Sequence, residues 1–238
     1  MEHELIVLPD ARSLATRGAT LVAGFARNAV ASSGTFNFAV SGGKTPWAMF
    51  AALADEDMPW AQTVIFQVDE RVAPDGDPDR NLTNLDKALG QAPARVVPMP
   101  INDPDLDAAS AAYAKLLPER FDLVHLGIGA DGHTASLVPG DPVLQVTDRP
   151  VAPTRPYKGH RRMTLTYTGL ARAEQIMWLI SGEDKRDALA KLLKADPSIP
   201  AGRVEATRST ILADEAATGG GDEAATGGGD GAATGGHG

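Results

Sequence analysis

The sequence predicts an α/β fold: a mostly parallel, open sheet flanked by helices on both faces, doubly wound and Rossmann-like. Short apolar and β-branched runs alternate with longer segments of helical periodicity from the N-terminus to about residue 213. Several of these runs end at glycines, as buried strands do where they meet a loop. In such a sheet, ligands bind beyond the carboxyl ends of the strands, so functional side chains are expected in the loops there.

Strands and helices alternate through the first half of the chain. Leu14, Leu21, Val22 and Phe25 recur at helical spacing, which predicts an amphipathic helix. Pro46 favours the first turn of a second helix. The predicted strands are 5–8, 36–40, 63–68 and 95–98, and the predicted helices are 11–31, 47–53, 81–89 and 106–117.

The second half continues this pattern after a central glycine-rich loop. An apolar run at 121–126 predicts the buried strand that leads into the loop. Ordered structure is expected to end near Leu212. Further strands are predicted at 163–167 and 175–180 and a helix at 186–193, whereas 141–151 is irregular and 169–174 is a short connection or helix.

Composition excludes several classes of protein. The 238 residues are 43% hydrophobic and include no cysteine, so disulfide and thiolate chemistry are excluded. No apolar run approaches the roughly 20 residues that span a bilayer, and the acidic N-terminus MEHELIVLPD is unlike a signal region. A cytoplasmic protein without a membrane partner is therefore expected, and a monomer is the expected assembly.

The acidic charge is concentrated at the C-terminus. The net charge is −9, and five acidic residues after residue 213 leave −4 on the rest of the chain. A nucleic-acid partner is not expected, because it would require a basic face. From Asp214 the chain repeats DEAATGGG with a period of eight and has little to bury. This pattern predicts a globular domain at 1–213 and a disordered repeat tail at 214–238.

The central loop, GIGADGHTASLVPG, carries a carboxylate and an imidazole two residues apart. Asp131 and His133 are close enough to hydrogen-bond, which would fix the tautomer of the ring and raise its basicity. That pairing is typical of a general base with an orienting carboxylate. The same residues also fit a plain turn followed by a helix cap, and spacing alone leaves both interpretations open.

A second loop has the composition of an anion-binding turn. Glycines let backbone N–H groups approach an anion, and the dipole at a helix N-terminus favours negative charge. An ordinary βα turn is the alternative. The spacing is not that of a Walker loop, and no GxGxxG fingerprint follows the first strand, so a dinucleotide cofactor is not expected. The loop consists of Ser41, Gly42, Gly43, Lys44 and Thr45, between a strand and a helix.

Charged residues at two further strand ends are also candidates. Asp69, Glu70 and Arg71 follow a buried strand and fit either a salt-bridge cluster or a guanidinium directed at a ligand. Lys185 lies at a helix start, which the dipole disfavours, and indicates a nearby anion or a plain surface lysine. The aspartate-rich segment 75–79 is not a calcium loop, because Arg80 and Asp86 stand where that loop requires glycine and glutamate. No metal is expected, because no loop presents three ligands at a convincing spacing.

Five motifs taken together resemble the 6-phosphogluconolactonase family, the branch related to glucosamine-6-phosphate isomerases and deaminases. They occur in the family's order and span nearly all of the chain before the repeats. The resemblance implies that residues 1–213 form a sugar-phosphate lactonase domain that needs no cofactor. The motifs are SGGKTP at 41–46, VDER at 68–71, GIGADGHTASLVPG at 127–140, RRMTLT at 161–166 and SGEDKRDAL at 181–189.

The resemblance also implies an activity and residue roles. The expected reaction is hydrolysis of 6-phospho-D-glucono-1,5-lactone to 6-phospho-D-gluconate, in the oxidative pentose phosphate pathway. His133 would be the general base that activates water, Asp131 would orient it, and Arg71 would stabilise the oxyanion or hold a substrate hydroxyl. The residues implied to bind the substrate or its phosphate are Ser41, Gly42, Gly43, Lys44, Thr45, Asp69, Arg162 and Lys185.

Two other functions remain open from the sequence. The deaminases of the family have a tyrosine where Arg71 stands and a glutamate after the loop histidine, whereas 135–139 here is ASLVP. A non-catalytic sugar-phosphate sensor is the other alternative. The sequence also leaves open which of Lys158, His160 and Arg161 contacts the substrate, and what Arg80 contributes.

Overall fold

Ten strands and seven α-helices make up residues 3–220, the part of the chain that the computed structural model describes. The strands are β1 (His3–Leu8), β2 (Phe36–Val40), β3 (Thr63–Gln67), β4 (Asp69–Arg71), β5 (Arg95–Val97), β6 (Leu123–Leu126), β7 (Val151–Pro153), β8 (Arg162–Leu165), β9 (Gln175–Ile180) and β10 (Arg208–Asp214). The helices are α1 (Ala11–Ser33), α2 (Lys44–Ala52), α3 (Asn81–Leu89), α4 (Leu106–Ala114), α5 (Tyr167–Leu170), α6 (Arg186–Leu193) and α7 (Glu215–Thr218). None of these helices is long and apolar enough to cross a membrane.

Seven strands form one parallel sheet in the order β1-β10-β9-β6-β2-β3-β5. From β2 the chain builds this sheet outward in two directions. β3 and β5 lie on one side of β2, whereas β6, β9 and β10 lie on the other side. The strand order therefore reverses between β2 and β6. Doubly wound folds bind ligands at such a reversal, beyond the carboxyl ends of the two strands. The two glycine-rich loops leave the sheet at this point.

Both faces of the sheet are covered, which explains the near-continuous apolar runs of the strands. β9 is buried at every residue: Ile176, Trp178 and Ile180 belong to one core, and Met177 and Leu179 to the other. Residues of α4 and α6 complete the first core, and residues of α1, α2 and α3 complete the second. The predicted fold class is confirmed.

A second, antiparallel sheet in the order β4-β8-β7 was not predicted. Of its strands, β8 was predicted as a strand at 163–167, whereas β4 and β7 have three residues each, too few for hydrophobic periodicity to reveal. β4 follows β3 after the single residue Val68, so the chain leaves the main sheet at its carboxyl edge and enters the small one. Arg71 and Arg162 thereby become direct cross-strand partners.

The Glu70 carboxylate fixes this change of sheet. Its side chain is fully buried and accepts hydrogen bonds from Gln67 Nε2 and from the backbone N–H groups of Arg71, Asn81 and Leu82. Two of these donors belong to the first turn of α3, where N–H groups lack partners within the helix. Because side chains alternate along a strand, the neighbours of Glu70 in β4 point to the opposite face.

Most predicted elements lie close to the observed ones. The observed bounds are the same as the predicted ones for four elements, namely β2, β9, α3 and α6. The strand predicted at 163–167 is instead the shorter β8, because the side chain of Thr166 accepts from Gly169 N and caps α5. α2 begins at Lys44, three residues before the predicted start, and a proline is tolerated in its first turn.

The structure continues past the predicted domain boundary at residue 213. Asp214 ends β10 and is buried, and the following residues form α7. The Asp214 carboxylate accepts hydrogen bonds from Ser181 Oγ at 2.5 Å, from Gly182 N at 3.0 Å and from Ala217 N at 2.9 Å. The first repeat unit therefore holds the loop that follows β9. The predicted disorder of 221–238 lies outside the described residues.

We predict that Asp214→Ala destabilises the protein and that Asp57→Ala, which removes an exposed carboxylate, does not. Without the carboxylate, the Gly182 N–H and the Ser181 hydroxyl lose their acceptor. A buried donor left unsatisfied costs roughly 1–3 kcal/mol. Urea unfolding of both variants measures the difference, and wild-type stability of Asp214→Ala would contradict a structural role for the first unit.

His125 is fully buried in β6 and supports the loop that follows β2. Its Nδ1 accepts a hydrogen bond from Ser41 N at 3.4 Å, and its ring lies nearly perpendicular to that of Phe50. Burial lowers the pKa of His125 to about 3. The ring is therefore neutral at physiological pH, with its proton on Nε2.

This burial predicts a pH-dependent stability. Between the ordinary value of 6.5 and about 3, the unfolded chain binds a proton at His125 that the folded chain does not. The free energy of unfolding therefore falls as the pH falls through this window, by about 2 kcal/mol from this group at pH 5. His125→Asn keeps an acceptor near the Nδ1 position without titrating. Urea titrations at pH 7.5 and 5 measure how much of the free energy of unfolding is lost on acidification. This loss should be smaller in the variant by that amount, and equal losses in the two proteins would contradict the lowered pKa of His125.

Candidate active site

A cleft of about 540 Å³ opens where the strand order reverses between β2 and β6. Seven separate stretches of the chain contribute to its lining, most of them at the carboxyl edge of the main sheet or in the small sheet. Every site residue predicted from the sequence lines the cleft except Asp131, which instead hydrogen-bonds His133. The predicted residues that line it are Ser41, Gly42, Gly43, Lys44, Thr45, Asp69, Arg71, His133, Arg162 and Lys185.

The His133 imidazole is held in an arrangement that suits a general base. Its Nδ1 lies 2.5 Å from Asp131 Oδ1, and the same oxygen accepts the backbone N–H of His133 at 3.2 Å. Its Nε2 makes no hydrogen bond within residues 3–220. A carboxylate at Nδ1 fixes the tautomer that leaves the lone pair on Nε2. Since His133 lines the cleft, this lone pair is the basic atom available there.

Asp131 is held at both of its oxygens. Tyr157 donates its hydroxyl hydrogen to Oδ2 at 3.1 Å, while Oδ1 contacts His133. Partial burial acts to raise the pKa of Asp131, but the hydrogen bonds from His133 and Tyr157 outweigh it and leave the pKa below its ordinary value. Tyr157 was missed by the sequence analysis, because it lies 26 residues away and no local spacing relates the two.

Gly129 provides the space in which this pair sits. A Cβ at position 129 would lie 2.0 Å from His133 Nδ1 and 2.6 Å from Asp131 Oδ1. The backbone N–H of Gly129 donates to His133 O at 2.8 Å and closes the loop on itself. Gly132 has a φ of 79°, in the left-handed region that favours glycine. The position of the imidazole therefore requires glycine at 129, and the backbone conformation of the loop favours glycine at 132.

Two arginines face each other across the β4–β8 pair and line the cleft, Arg71 and Arg162. Like charges directly opposite one another destabilise a strand pair, so the arrangement points to an anion in the cleft. The Nε atom of each is buried and has no partner within residues 3–220. Burial lowers the pKa of Arg162, Asp69 opposes this, and Arg71 reinforces it. Unused guanidinium donors suit an anionic group or a developing oxyanion.

Asp69 joins three segments at the side of the cleft. Its Oδ2 accepts the hydroxyl hydrogen of Ser136 at 2.6 Å, and its Oδ1 accepts from Asn81 Nδ2 at 3.2 Å. Ser136 belongs to the central loop and Asn81 begins α3. Asp69 therefore positions the walls of the cleft, and its contact with a substrate stays a prediction.

The loop after β2 has the form of an anion-binding turn. α2 begins directly after Gly43, whose φ of 143° favours glycine, and no side chain caps the helix. The first-turn N–H groups of this nine-residue helix therefore remain available to an anion. A Cβ at Gly42 would lie 2.1 Å from Asn81 Oδ1, so the loop packs closely against α3.

Asn81 is a second residue that the sequence analysis missed. It lines the cleft, is 5% exposed, and its Oδ1 has no hydrogen-bond partner within residues 3–220. Its position at the start of a predicted helix was visible in the sequence. The direction of its side chain was not, because that direction is set by Asp69 and Glu70 in a different element.

Lys185 reaches the cleft from the loop after β9. Its Nζ lies 2.8 Å from Asp184 Oδ2, and 23% of the side chain is exposed. It ends a short 3₁₀ turn, Glu183–Lys185, immediately before α6. Ser181 of the same loop also lines the cleft, and its hydroxyl donates a hydrogen bond to Asp214.

The residues left open by the sequence lie outside the cleft. Lys158 Nζ lies over the ring of Tyr157 at 5.2 Å from its centroid. His160 Nε2 lies 3.0 Å from Asp79 Oδ2, and Arg161 is exposed. None of the three lines the cleft.

The aspartate-rich segment 75–79 contributes an ion pair. Arg80 is 3% exposed, pairs with Asp75 and lies 3.9 Å from Glu70. Arg80 therefore supports the start of α3 from outside the cleft. Within residues 3–220, no group of three histidine, aspartate or glutamate side chains could hold a metal ion.

Comparison with known proteins places this fold and its motifs in one family. The profile described as glucosamine-6-phosphate isomerases/6-phosphogluconolactonase matches residues 9–213. The 6-phosphogluconolactonase of a Nostoc species is 32% identical over 206 residues, which cover 81% of this chain and 85% of that protein. The GDH/6PGL endoplasmic bifunctional protein of Oryctolagus cuniculus is 38% identical over 176 residues. That match covers 67% of this chain but 22% of the bifunctional protein, so the chain corresponds to about a fifth of it.

A solved structure supports the architecture. The 6-phosphogluconolactonase of Trypanosoma brucei superposes with a TM-score of 0.82 at 24% identity, over 92% of this chain and 98% of that one. At this identity the likeness shows the shared fold alone.

We predict that Gly129→Ala reduces turnover of 6-phosphogluconolactone, the substrate named for the relatives, about 10²-fold. The new Cβ must displace the His133 imidazole by an ångström or more. Steady-state kinetics together with the circular dichroism spectrum would separate loss of activity from loss of fold. Gly24→Ala is the matched control, since a Cβ there meets nothing within 4 Å. Undiminished turnover in Gly129→Ala would show that the imidazole does not need this position.

Proposed function

The chain belongs to the glucosamine-6-phosphate isomerase/6-phosphogluconolactonase family, and we propose that it acts as a 6-phosphogluconolactonase. The proposed reaction is the hydrolysis of 6-phospho-D-glucono-1,5-lactone to 6-phospho-D-gluconate, a step of the oxidative pentose phosphate pathway. The relatives that bear this name support the assignment.

One observation carries the proposal. An imidazole with a free Nε2 shares its cleft with two facing arginines and with an uncapped helix N-terminus. Hydrolysis of a phosphorylated lactone needs these three parts: a base for one water molecule, a cation for the oxyanion and a site for the phosphate. A positioned base contributes roughly 10²–10⁴-fold, which suits a lactone because the ester already hydrolyses slowly by itself.

The proposed reaction has two proton transfers through one imidazole. His133 Nε2 takes a proton from water as the water oxygen bonds to the carbonyl carbon of the lactone. Arg71 stabilises the resulting oxyanion. When the intermediate collapses, the bond from that carbon to the ring oxygen breaks, and the imidazolium returns the proton to the ring oxygen. Asp131 stays ionised throughout and stabilises the imidazolium.

The phosphate is assigned to the N-terminus of α2. Backbone N–H groups of the glycine-rich loop would hold its oxygens, and Lys44, Arg162 and Lys185 would supply positive charge. This cationic cleft lies in a body of net negative charge. The local field therefore directs an anionic substrate to the cleft rather than to the surface in general.

The other chemistry of the family is less well supported by this cleft. Isomerisation or deamination of an amino sugar phosphate requires protons to move between two carbons, and hence a relay of acids and bases. Among the described residues, the single carboxylate that lines the cleft is Asp69. Both of its oxygens are engaged by Ser136 and Asn81, so it is not free to act as a second base.

The monomeric state and the cytoplasmic location remain predictions from the sequence. Light scattering of the purified protein tests the first, and cell fractionation tests the second. The mechanism depends on neither, because one chain supplies every residue assigned to the cleft.

The test compares acid release from freshly generated 6-phosphogluconolactone by the wild type and by His133→Ala, with ammonia release from glucosamine 6-phosphate in parallel. We expect hydrolysis well above the spontaneous rate, reduced roughly 10²–10⁴-fold in the variant, and no ammonia. His160→Ala is the matched control, because it also removes a carboxylate-paired imidazole, but outside the cleft.

Three other outcomes would reject the proposal. A wild type that does not accelerate lactone hydrolysis is not a lactonase. Ammonia release would assign the chain to the deaminases. Binding of 6-phosphogluconate by both the wild type and His133→Ala, without turnover of either substrate, would identify a sensor.

A further inference from the structure

We propose that Tyr157 is a positioning residue for the catalytic pair: its hydroxyl anchors the Asp131 carboxylate and thereby tunes His133. This inference deepens the proposed function and rests on the role of His133 as the general base. Tyr157 does not line the cleft, so it acts through Asp131 rather than on the substrate.

The contacts form a continuous chain from hydroxyl to carboxylate to imidazole. Tyr157 donates to Asp131 Oδ2 at 3.1 Å, and the other oxygen, Oδ1, lies 2.5 Å from His133 Nδ1. The Tyr157 ring also meets the His133 ring, with centroids 5.5 Å apart and planes inclined at 65°. The tyrosine therefore restrains both members of the pair.

A tight hairpin turn between β7 and β8 holds the tyrosine in place. Tyr157 and His160 exchange backbone hydrogen bonds at 2.9 and 3.3 Å. The two residues between them, Lys158 and Gly159, have φ angles of 49° and 86°, as in a two-residue hairpin turn. Arg162 Nη2 donates to Tyr157 O at 3.3 Å, which ties the turn to β8.

Burial and the neighbouring Asp131 carboxylate keep the hydroxyl a donor. Burial raises the pKa of Tyr157, and the charge of Asp131 and its hydrogen bond add to this, while Arg162 and Lys185 act in the opposite direction. The guanidinium of Arg162 and the ammonium of Lys158 lie 5.1 and 5.2 Å from the ring centroid. The phenol therefore stays protonated at neutral pH and can only donate to the carboxylate.

A donor on Oδ2 draws charge away from the oxygen that faces the imidazole. The contact also holds the carboxylate in the one orientation in which its Oδ1 faces His133 Nδ1. Removing the hydroxyl should reverse the first effect. It should also free the carboxylate to rotate, which loosens the orientation of the ring.

The experiment follows the titration of the His133 ring by NMR in the wild type and in Tyr157→Phe. The chain has five histidines, and the His133 signal is identified by its absence in His133→Gln. We expect the midpoint of the His133 titration to be higher in Tyr157→Phe than in the wild type, because the carboxylate that loses its second donor interacts more strongly with the imidazolium. In the pH profile of kcat/KM for the lactone, the acid limb should move in the same direction as the His133 midpoint. KM should change by less than about twofold, because the lining of the cleft is intact.

Tyr167→Phe is the matched control. It also removes one phenol hydroxyl, but this hydroxyl donates to Pro200 O at 3.1 Å and has no contact with Asp131. We expect no change in the His133 midpoint in this variant. In an Asp131→Asn background, Tyr157→Phe should likewise produce no further shift, because the carboxylate through which it acts is gone.

Several results would overturn the proposal. An unchanged or lowered midpoint in Tyr157→Phe would show that the hydroxyl does not act on the pair. A raised KM without a shifted midpoint would make Tyr157 a substrate contact instead. A full shift in the Asp131→Asn background would exclude the route through Asp131. Since the titration needs no substrate, it remains decisive even if the lactone is not hydrolysed.

Discussion

One buried carboxylate joins the two sheets of this protein. Glu70 is fully excluded from water, and a carboxylate in that position is tolerated because donors surround it. The Gln67 side chain and the backbone N–H groups of Arg71, Asn81 and Leu82 supply those donors. The interaction turns the chain out of β3 into β4 and fixes the start of α3. Without that turn, Arg71 would not face Arg162 and Asn81 would not reach the cleft.

The sequence predicted the parts of the site that depend on local patterns. An apolar run followed by glycine located the two loops at the carboxyl edge of the sheet, and the spacing of Asp131 and His133 predicted their pairing. Lys44 and Thr45 were placed correctly next to a helix start, although the helix begins earlier than its apolar pattern indicated.

The parts that were missed depend on contacts between distant segments. Two of the three strands of the small sheet, β4 and β7, are too short to carry a period, and the pairing of the sheet decides which residues face each other. Tyr157 lies on a turn whose sequence suggests only a basic cluster, and Asn81 is directed by carboxylates in another element. Neither distance along the chain nor residue type predicts such contacts.

Unfavourable features concentrate at the cleft. Two guanidiniums oppose each other there, and several polar atoms of the lining lack partners within residues 3–220. Ala135 lines the cleft with a φ of 51°, a conformation that non-glycine residues seldom adopt. Conformations and charges of this kind persist where the surrounding structure enforces them and are typical of functional sites.

The contacts of Asp214 have a consequence for changes in the number of repeat units. Segments 214–221 and 222–229 are both DEAATGGG, and the segment after them begins with Asp230. Deletion of one unit would place an identical segment after Ala213, and deletion of two would still place an aspartate there. A change in the number of units would therefore still supply an aspartate as acceptor for Ser181 and Gly182, whereas a point change at residue 214 would remove it.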